Sequence, residues 1–265
     1  MLTTEQQAHF ETFGFIVLRQ AFSPAEMAEI TREFDDVLAE DRQGQAFDGA
    51  KRQGVLGFIE RRPRLTRLVE DDRIYEPLEQ LLGSGFVWVG SDGNLYVGDT
   101  NWHPDGSNLN YMRIKVAFYL DPVAKETGCL RVIPGSHQPP LHEHLKPLME
   151  RRGDATWAPF SALPAEVPAF PLESQPGDVV FFNQNLWHAA FGGRTGRRMF
   201  TLNFAARPVN EGHIDYLQRV YQGNLKNIQQ MQYTQTGRVY TDVFLHSDRP
   251  RIQSMVGKLV ELGFK

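Results

Sequence analysis

The sequence predicts a β-rich α+β fold, a core of short strands flanked by helices at both ends. Three observations predict it. Residues 1–85 carry helix-capping patterns and a helical apolar stripe. Residues 86–207 break into short apolar runs punctuated by Gly and Pro, and after Pro208 the strand texture ends. Many short strands with such turns suit a sandwich, a jelly roll or a barrel.

The elements follow in order. Thr4-Glu5-Gln6-Gln7 and Ser23-Pro24-Ala25-Glu26 read as capping boxes, the second with proline at the first helical position. Between them Gly14-Phe15-Ile16-Val17-Leu18 suits a strand. Met27, Ile30, Phe34, Val37 and Leu38 then recur at helical spacing and form one buried stripe. Asp41 to Gly54 reads as a loop, and Leu65 to Leu82 resumes helical periodicity, stopping at Gly83. Strand candidates are Phe86–Val89, Asn94–Val97, Met112–Leu120, Gly128–Ile133, Asp178–Phe182 and Phe200–Ala205. The proline-rich stretch 138–176 is a long insertion, and such insertions are often lids or substrate-binding loops. Residues 211–232 have modest helical spacing, and Ile252 to Leu262 closes the chain as a helix. The expectation is one domain over 1–265: a mostly helical part to 85, a core over 86–207, and a helical extension over 208–265.

Composition narrows the function. A net charge of −4 leaves no electrostatic footprint for nucleic acid. The local basic run Lys51-Arg52 and Arg61-Arg62-Pro63-Arg64 reads as a solvated face. The single Cys129 excludes an intramolecular disulfide and reads as a small buried hydrophobe. No stretch approaches the 18 or so apolar residues of a membrane span, and residues 1–6 lack a signal-peptide pattern. A soluble cytoplasmic protein acting on a small molecule is expected, with the oligomeric state not legible.

The chemistry concentrates in His103-Pro104-Asp105, His188 and Arg197. Two histidines and one carboxylate can occupy one face of a metal and leave adjacent positions open, as in non-haem Fe(II) oxygenases. His-x-Asp alone is weak, because the chain has three such triplets. Pro104 biases His103 toward extended backbone, where residues two apart point to one side. His213-Ile214-Asp215 lies in the polar helical tail, where residues two apart diverge. His246-Ser247-Asp248 lies in a surface loop, and solvated histidines are expected in both. His188 follows the apolar strand Asp178–Phe182, and the intervening residues can bring it back beside His103. His137 reads as structural, and His142-Glu143-His144 as exposed.

Together these segments resemble the phytanoyl-CoA dioxygenase family of Fe(II)/2-oxoglutarate oxygenases. The resemblance starts at Phe10-Glu11-Thr12-Phe13-Gly14-Phe15-Ile16-Val17. It takes in the 103–105 triplet, Leu120-Asp121 and Gly128-Cys129-Leu130-Arg131-Val132-Ile133-Pro134-Gly135-Ser136-His137. It closes with Gly177-Asp178-Val179-Val180-Phe181-Phe182, His188 and Arg197-Arg198-Met199-Phe200-Thr201-Leu202-Asn203-Phe204.

The resemblance implies a double-stranded β-helix, the cupin-like jelly roll. It implies that His103, Asp105 and His188 bind Fe(II) as the catalytic metal. It further implies 2-oxoglutarate as co-substrate, oxidised by O₂ to succinate and CO₂ while a substrate C–H bond is oxidised, most simply hydroxylated. An arginine would grip the distal carboxylate with its planar fork. Arg197 matches the family pattern best. The loop before it is shorter than usual, so Arg198, on the opposite strand face, stays open, with Arg194 third. The family's small hydroxyl residue after the distal histidine is Ala190 here, so Asn94, Tyr96 or Thr201 would supply that hydrogen bond, and Phe118 would pack on the co-substrate. Trp102, Asn110, Arg113 and Lys115 are candidate substrate contacts. Arg113 and Lys115 share a strand face, whose direction the sequence leaves open. Related halogenases carry Gly or Ala where Asp105 stands, so hydroxylation is favoured over halogenation. The alternative is a cupin-like hydrolase or isomerase using the same triad on zinc.

Overall fold

The computed structural model describes residues 1–150, 163–230 and 238–264. In chain order the N-terminal part holds α1 (Thr4–Phe13), β1 (Phe15–Leu18), α2 (Pro24–Asp41), β2 (Gln53–Leu56), α3 (Pro63–Thr66) and α4 (Asp72–Leu82). The core adds β3 (Val87–Tyr96), β4 (Thr100–His103), β5 (Arg113–Tyr119), β6 (Leu130–Val132), α5 (Leu141–His144), α6 (Pro147–Glu150), β7 (Phe170–Leu172), β8 (Val179–Asn183), β9 (His188–Ala190) and β10 (Arg197–Ala205). The helices α7 (Glu211–Gln230), α8 (Asp242–Leu245) and α9 (Pro250–Glu261) follow.

The strands form two antiparallel sheets, ordered β1-β8-β5-β10-β3-β2 and β4-β9-β6-β7. They face each other as a jelly roll, with part of the core between them and part under the helices. Alternation along each strand sorts side chains between these layers. On β5, Ala117 and Tyr119 turn inward with Cys129, Val180 and Phe182, while Ile114, Val116 and Phe118 turn outward. The outer face of the large sheet is covered by α2, whose Met27, Ile30, Phe34, Val37 and Leu38 are all buried as their spacing predicts. Trp102, Ile133, Leu145, Trp187 and Phe191 form a third cluster.

Local rules explain most boundaries. Ser23 caps α2 and receives the Glu26 side chain in return. The first cap is Thr3 rather than Thr4: the Thr3 hydroxyl accepts from the Gln6 N–H, and the Gln6 side chain accepts from the Thr3 N–H. This start leaves Leu2 buried just before the helix. The predicted helix from Leu65 to Leu82 is interrupted, because the Asp71 carboxylate accepts from the Arg73 N–H and opens α4 as a new helix. Phe86–Val89 and Asn94–Val97 belong to one strand, β3, which carries a register shift opposite Asn203 and Phe204.

Four strands escaped the sequence reading: β2, inside and just beyond the expected loop, and β4, β7 and β9, each three or four residues long. Such segments are too short to show alternation. Within the 138–176 insertion, α5, α6 and β7 are ordered elements, and the expectation for its middle falls on 151–162, outside the described residues. The end of the 211–232 expectation likewise lies outside them. Among the described residues no helix is long and apolar enough to cross a membrane.

Candidate active site

The site is built on the pairing of β4 with β9, which sets His103 directly opposite His188. Their ring centroids lie 4.4 Å apart. Asp105, two residues beyond His103, completes the cluster: its Oδ1 is 3.8 Å from His103 Nε2 and its Oδ2 is 3.5 Å from His188 Nε2. One ligand atom from each residue lies within 4.8 Å of the others. Both rings are oriented from behind. His103 Nδ1 lies 2.7 Å from the Asn101 carbonyl and His188 Nδ1 2.8 Å from the Leu186 carbonyl. A carbonyl only accepts, so each Nδ1 carries the proton and each Nε2 lone pair is free to meet a metal.

The electrostatics keep His188 and Asp105 in ligand form. Burial pushes the His188 imidazole down to about 3, helped by His103 and opposed by Asp105. Burial works against ionisation of Asp105, yet the neighbouring Lys115 charge above all holds its carboxyl far below the ordinary range. Lys115 Nζ sits 2.7 Å from Asp105 Oδ2, a close ion pair. Burial lowers the Lys115 pKa, but Asp105 and Asp92 more than offset that and raise it.

β10 decides between the two arginines. Arg197, 2% exposed, pairs with Tyr96 across β3 and points inward, its guanidinium 5.2 Å from the Tyr96 ring centre. Among the described residues its buried Nε and Nη1 have no acceptor. Two glycines make room for it: a Cβ on Gly128 would lie 1.8 Å from Arg197 Nη1, and one on Gly193 1.9 Å. Arg198 points the other way and is consumed by Asp121 at 2.8 Å and Asp35 at 3.0 Å. Arg194 is exposed and pairs with Asp121 at 3.1 Å. Buried donors without acceptors are costly. Arg197 therefore presents a cradle shaped for an anion, and a carboxylate fits its fork.

The other expected contacts divide by strand face. Asn94, Tyr96 and Thr201 share the face of Arg197. The Asn94 amide oxygen accepts from Arg52 at 2.6 and 2.9 Å, its nitrogen donates to Asp92, and Thr201 donates to Asp92 at 2.5 Å. Phe118 faces the opposite way, stacked on Phe200 at 4.6 Å and edge-on to Phe22, so its expected place against the co-substrate is corrected. Trp102 is corrected too. Alternation on β4 turns it away from His103 into the Trp187 cluster, where its indole donates to the Pro164 carbonyl at 2.7 Å. Asn110 is exposed in the turn before β5 and lies outside the cavity lining.

Arg113 and Lys115 do face inward, lining with Asp105 a cavity of about 800 Å³. That cavity shows what the sequence reading missed. Lys51 and Arg52, read as a solvated face, form part of its wall, and Arg52 lies 4.3 Å over the Tyr96 ring. Tyr216, Arg219, Val220, Gly223, Asn224 and Asn227 of α7 form another part. Their spacing at one helical face was a signal available in the sequence.

The remaining histidines are structural or solvated. His213 stacks on Tyr111 at 4.3 Å, and His246 is exposed. His137 lies 3.2 Å from the Glu11 carbonyl. His142 departs from the expected exposure: it is buried, its Nδ1 near the carbonyls of Ser136 and Asn185.

Comparison with known proteins gives this geometry its context. The sequence profile of the family described as phytanoyl-CoA dioxygenase (PhyH) matches residues 10–200. A probable phytanoyl-CoA dioxygenase of Caenorhabditis elegans is 20% identical over 224 residues, covering 74% of this chain and 72% of the relative. An ectoine dioxygenase of Bordetella bronchiseptica is 23% identical over 215 residues, covering 71% and 70%. Among solved structures, HygX from Streptomyces hygroscopicus, with nickel and 2-oxoglutarate bound, superposes with a TM-score of 0.62 at 21% identity, covering 80% of this chain and 90% of that one. EctD from S. alaskensis with bound Fe gives 0.59 at 24% identity over 77% of each chain. At such identities the structural likeness speaks for the fold, and the profile match over most of the chain speaks for the family. This chain belongs to the phytanoyl-CoA dioxygenase family and is a non-haem dioxygenase dependent on iron and 2-oxoglutarate.

Proposed function

We propose that this enzyme oxidises an unactivated C–H bond of a small-molecule metabolite, by hydroxylation. In this reading His103 Nε2, His188 Nε2 and one Asp105 oxygen hold Fe(II), and Arg197 receives the distal carboxylate of 2-oxoglutarate. The observation that carries it is the buried Arg197 guanidinium, whose Nε and Nη1 have no acceptor among the described residues, inside the same two-sheet core that presents the triad. A cupin-like zinc hydrolase or isomerase, the alternative at the same triad, gives that guanidinium no task.

Each residue then has a physical duty. The Asn101 and Leu186 carbonyls fix the imidazole tautomers. Lys115 holds the Asp105 carboxylate ionised and limits its rotation. Gly128 and Gly193 admit the Arg197 fork. Tyr96 walls the co-substrate pocket, and Asn94 and Thr201, bound to Arg52 and Asp92, brace that wall. The chemistry supplied by bound iron is the O₂-dependent conversion of 2-oxoglutarate to succinate and CO₂, coupled to substrate C–H oxidation. The substrate enters the polar cavity above Asp105 and Lys115, where Arg113 also projects. Asp105 retains the carboxylate position, which supports hydroxylation over halogenation.

The test begins with anaerobic protein loaded with Fe(II) and titrated with 2-oxoglutarate by calorimetry. Binding that requires the metal, followed by succinate formation on exposure to O₂, is expected. A metabolite library is then screened by mass spectrometry for products that gain one oxygen atom. Independent binding of metal and 2-oxoglutarate would sink the assignment, and products lacking only two hydrogens would replace hydroxylation by desaturation.

A further inference from the structure

The cavity above the triad carries an excess of positive charge. Its lining includes Lys51, Arg52, Arg113, Lys115 and Arg219 against the acids Asp92 and Asp105. Those acids are already engaged: Lys115 pairs with Asp105, and Arg52 approaches Asp92 to 3.7 Å while donating to Asn94. That leaves the exposed Lys51 and the two arginines Arg113 and Arg219. Among the described residues neither arginine has a carboxylate within 4.0 Å, including Asp215, four residues before Arg219 on α7.

Arg113 is the informative one. It is 8% exposed and lines the cavity, and its Nε is buried without an acceptor. Among the described residues its Nη1 reaches only the Tyr216 hydroxyl, at 3.3 Å. Both arginines approach Tyr216, their guanidinium carbons 5.6 and 5.7 Å from its ring centre. The Tyr216 oxygen also accepts from the Ser107 N–H at 3.1 Å, which ties α7 to the loop after Asp105. A largely buried guanidinium on a cavity wall, with N–H groups left unpaired, is stabilised by an anion that reaches it or is left at a cost. Two strand steps separate Arg113 from Lys115, about 7 Å along β5. The free donor is thus within a small molecule's reach of the triad. Arg113 lies within the span of the family match, whereas Tyr216 and Arg219 lie beyond residue 200, where that match ends.

We propose that Arg113, Arg219 and the Tyr216 hydroxyl form a subsite for an anionic group of the substrate, a carboxylate or a phosphate. The inference rests on the oxygenase reading for its claim that the anion belongs to a substrate. The subsite orients that substrate with its charge toward α7 and its reacting carbon toward the triad. A cavity of about 800 Å³ admits a metabolite of moderate size.

The test uses full-length protein presaturated with Ni(II) and 2-oxoglutarate, so that Arg197 is occupied, and titrated calorimetrically with inorganic phosphate and, separately, acetate. Binding of either supports the subsite, and the preferred anion identifies the group. Arg113→Gln should weaken binding about tenfold and the more exposed Arg219→Gln about threefold. Lys226→Gln, exposed on α7 and away from the cavity lining, should leave it unchanged. Arg219→Gln alters a surface residue and keeps the test valid if Arg113→Gln fails to fold. Absence of binding to the wild type, or equal weakening by Lys226→Gln, overturns the subsite. Wild type that forms succinate but binds neither anion loses only this proposal. Wild type that binds an anion through Arg113 and Arg219, yet shows no metal-dependent binding of 2-oxoglutarate, keeps the anion site and loses the oxygenase assignment.

Discussion

Adjacent residues on β10 separate two faces of the large sheet that obey opposite rules. On the outer face, Arg198 meets Asp121 and Asp35, and Phe200 stacks on Phe118 beneath α2. Charges there are paired and apolar surface is covered. On the inner face, Arg197 keeps Nε and Nη1 without acceptors. On the outer face the polypeptide's own carboxylates meet Arg198, whereas on the inner face the described residues supply no acceptor to those Arg197 donors. Beside the triad, unpaired buried donors and not charge alone mark Arg197 as a candidate binding group.

Substitutions can break or sharpen this contrast. The largest effect is expected at Arg197→Gln, which should weaken 2-oxoglutarate binding to the metal-loaded protein by about a hundredfold or more while sparing stability, read by calorimetry and thermal melting. Wild-type affinity in that variant would remove the inner face's special status. On the outer face Phe118→Ala should cost about 3–5 kcal/mol of stability in denaturant titration. The folded fraction should still bind 2-oxoglutarate normally, and a selective loss of that affinity would return Phe118 to the site.

Gly128→Ala tests the cradle. Its Cβ must displace the Arg197 guanidinium, and φ of +88° adds strain, so about tenfold weaker 2-oxoglutarate binding is expected. Unaltered binding would show that the fork needs no such clearance. Arg198→Gln should lower stability by about 1 kcal/mol without changing 2-oxoglutarate affinity, the reverse of its neighbour. The smallest effect is at Glu26, which the Arg73 side-chain hydrogen bond holds down to about 2 from the ordinary 4.5. A depressed carboxyl stabilises the fold above its unfolded pKa and loses that contribution as pH falls through the folded one. Glu26→Gln should therefore cost about 0.5–1 kcal/mol near neutrality, the salt bridge being partly exposed. Its melting curve should converge on the wild type's between pH 4.5 and 2, and a gap that persists at acid pH would mean that the ion pair contributes nothing.

How much was legible beforehand follows from the range of each signal. The Ser23 cap and the α2 stripe are local patterns, and both hold in the structure. The His103 triplet stood out because proline forces extended backbone, in which His103 and Asp105 share a side. Trp102 and Phe118 went astray for the complementary reason. Alternation says that neighbours part company, but it does not say which face meets the metal-binding side. β9 supplies His188 from a strand of three residues, too short to carry a period of its own. Tyr216 and Arg219 were passed over because the amphipathic signal of α7 is mixed with polar residues on every side.

The sequence by itself determined the chemical inventory: which residues can ligate a metal, which arginines neighbour one another, where helices begin, and that Arg197 and Arg198 must face apart. Only the tertiary structure decided that Arg197 faces in, that Lys115 lies against Asp105, and that α7 closes one wall of the cavity. A period of two is symmetric about the sheet, and the symmetry is broken only when distant helices cover one side and leave the other to a ligand.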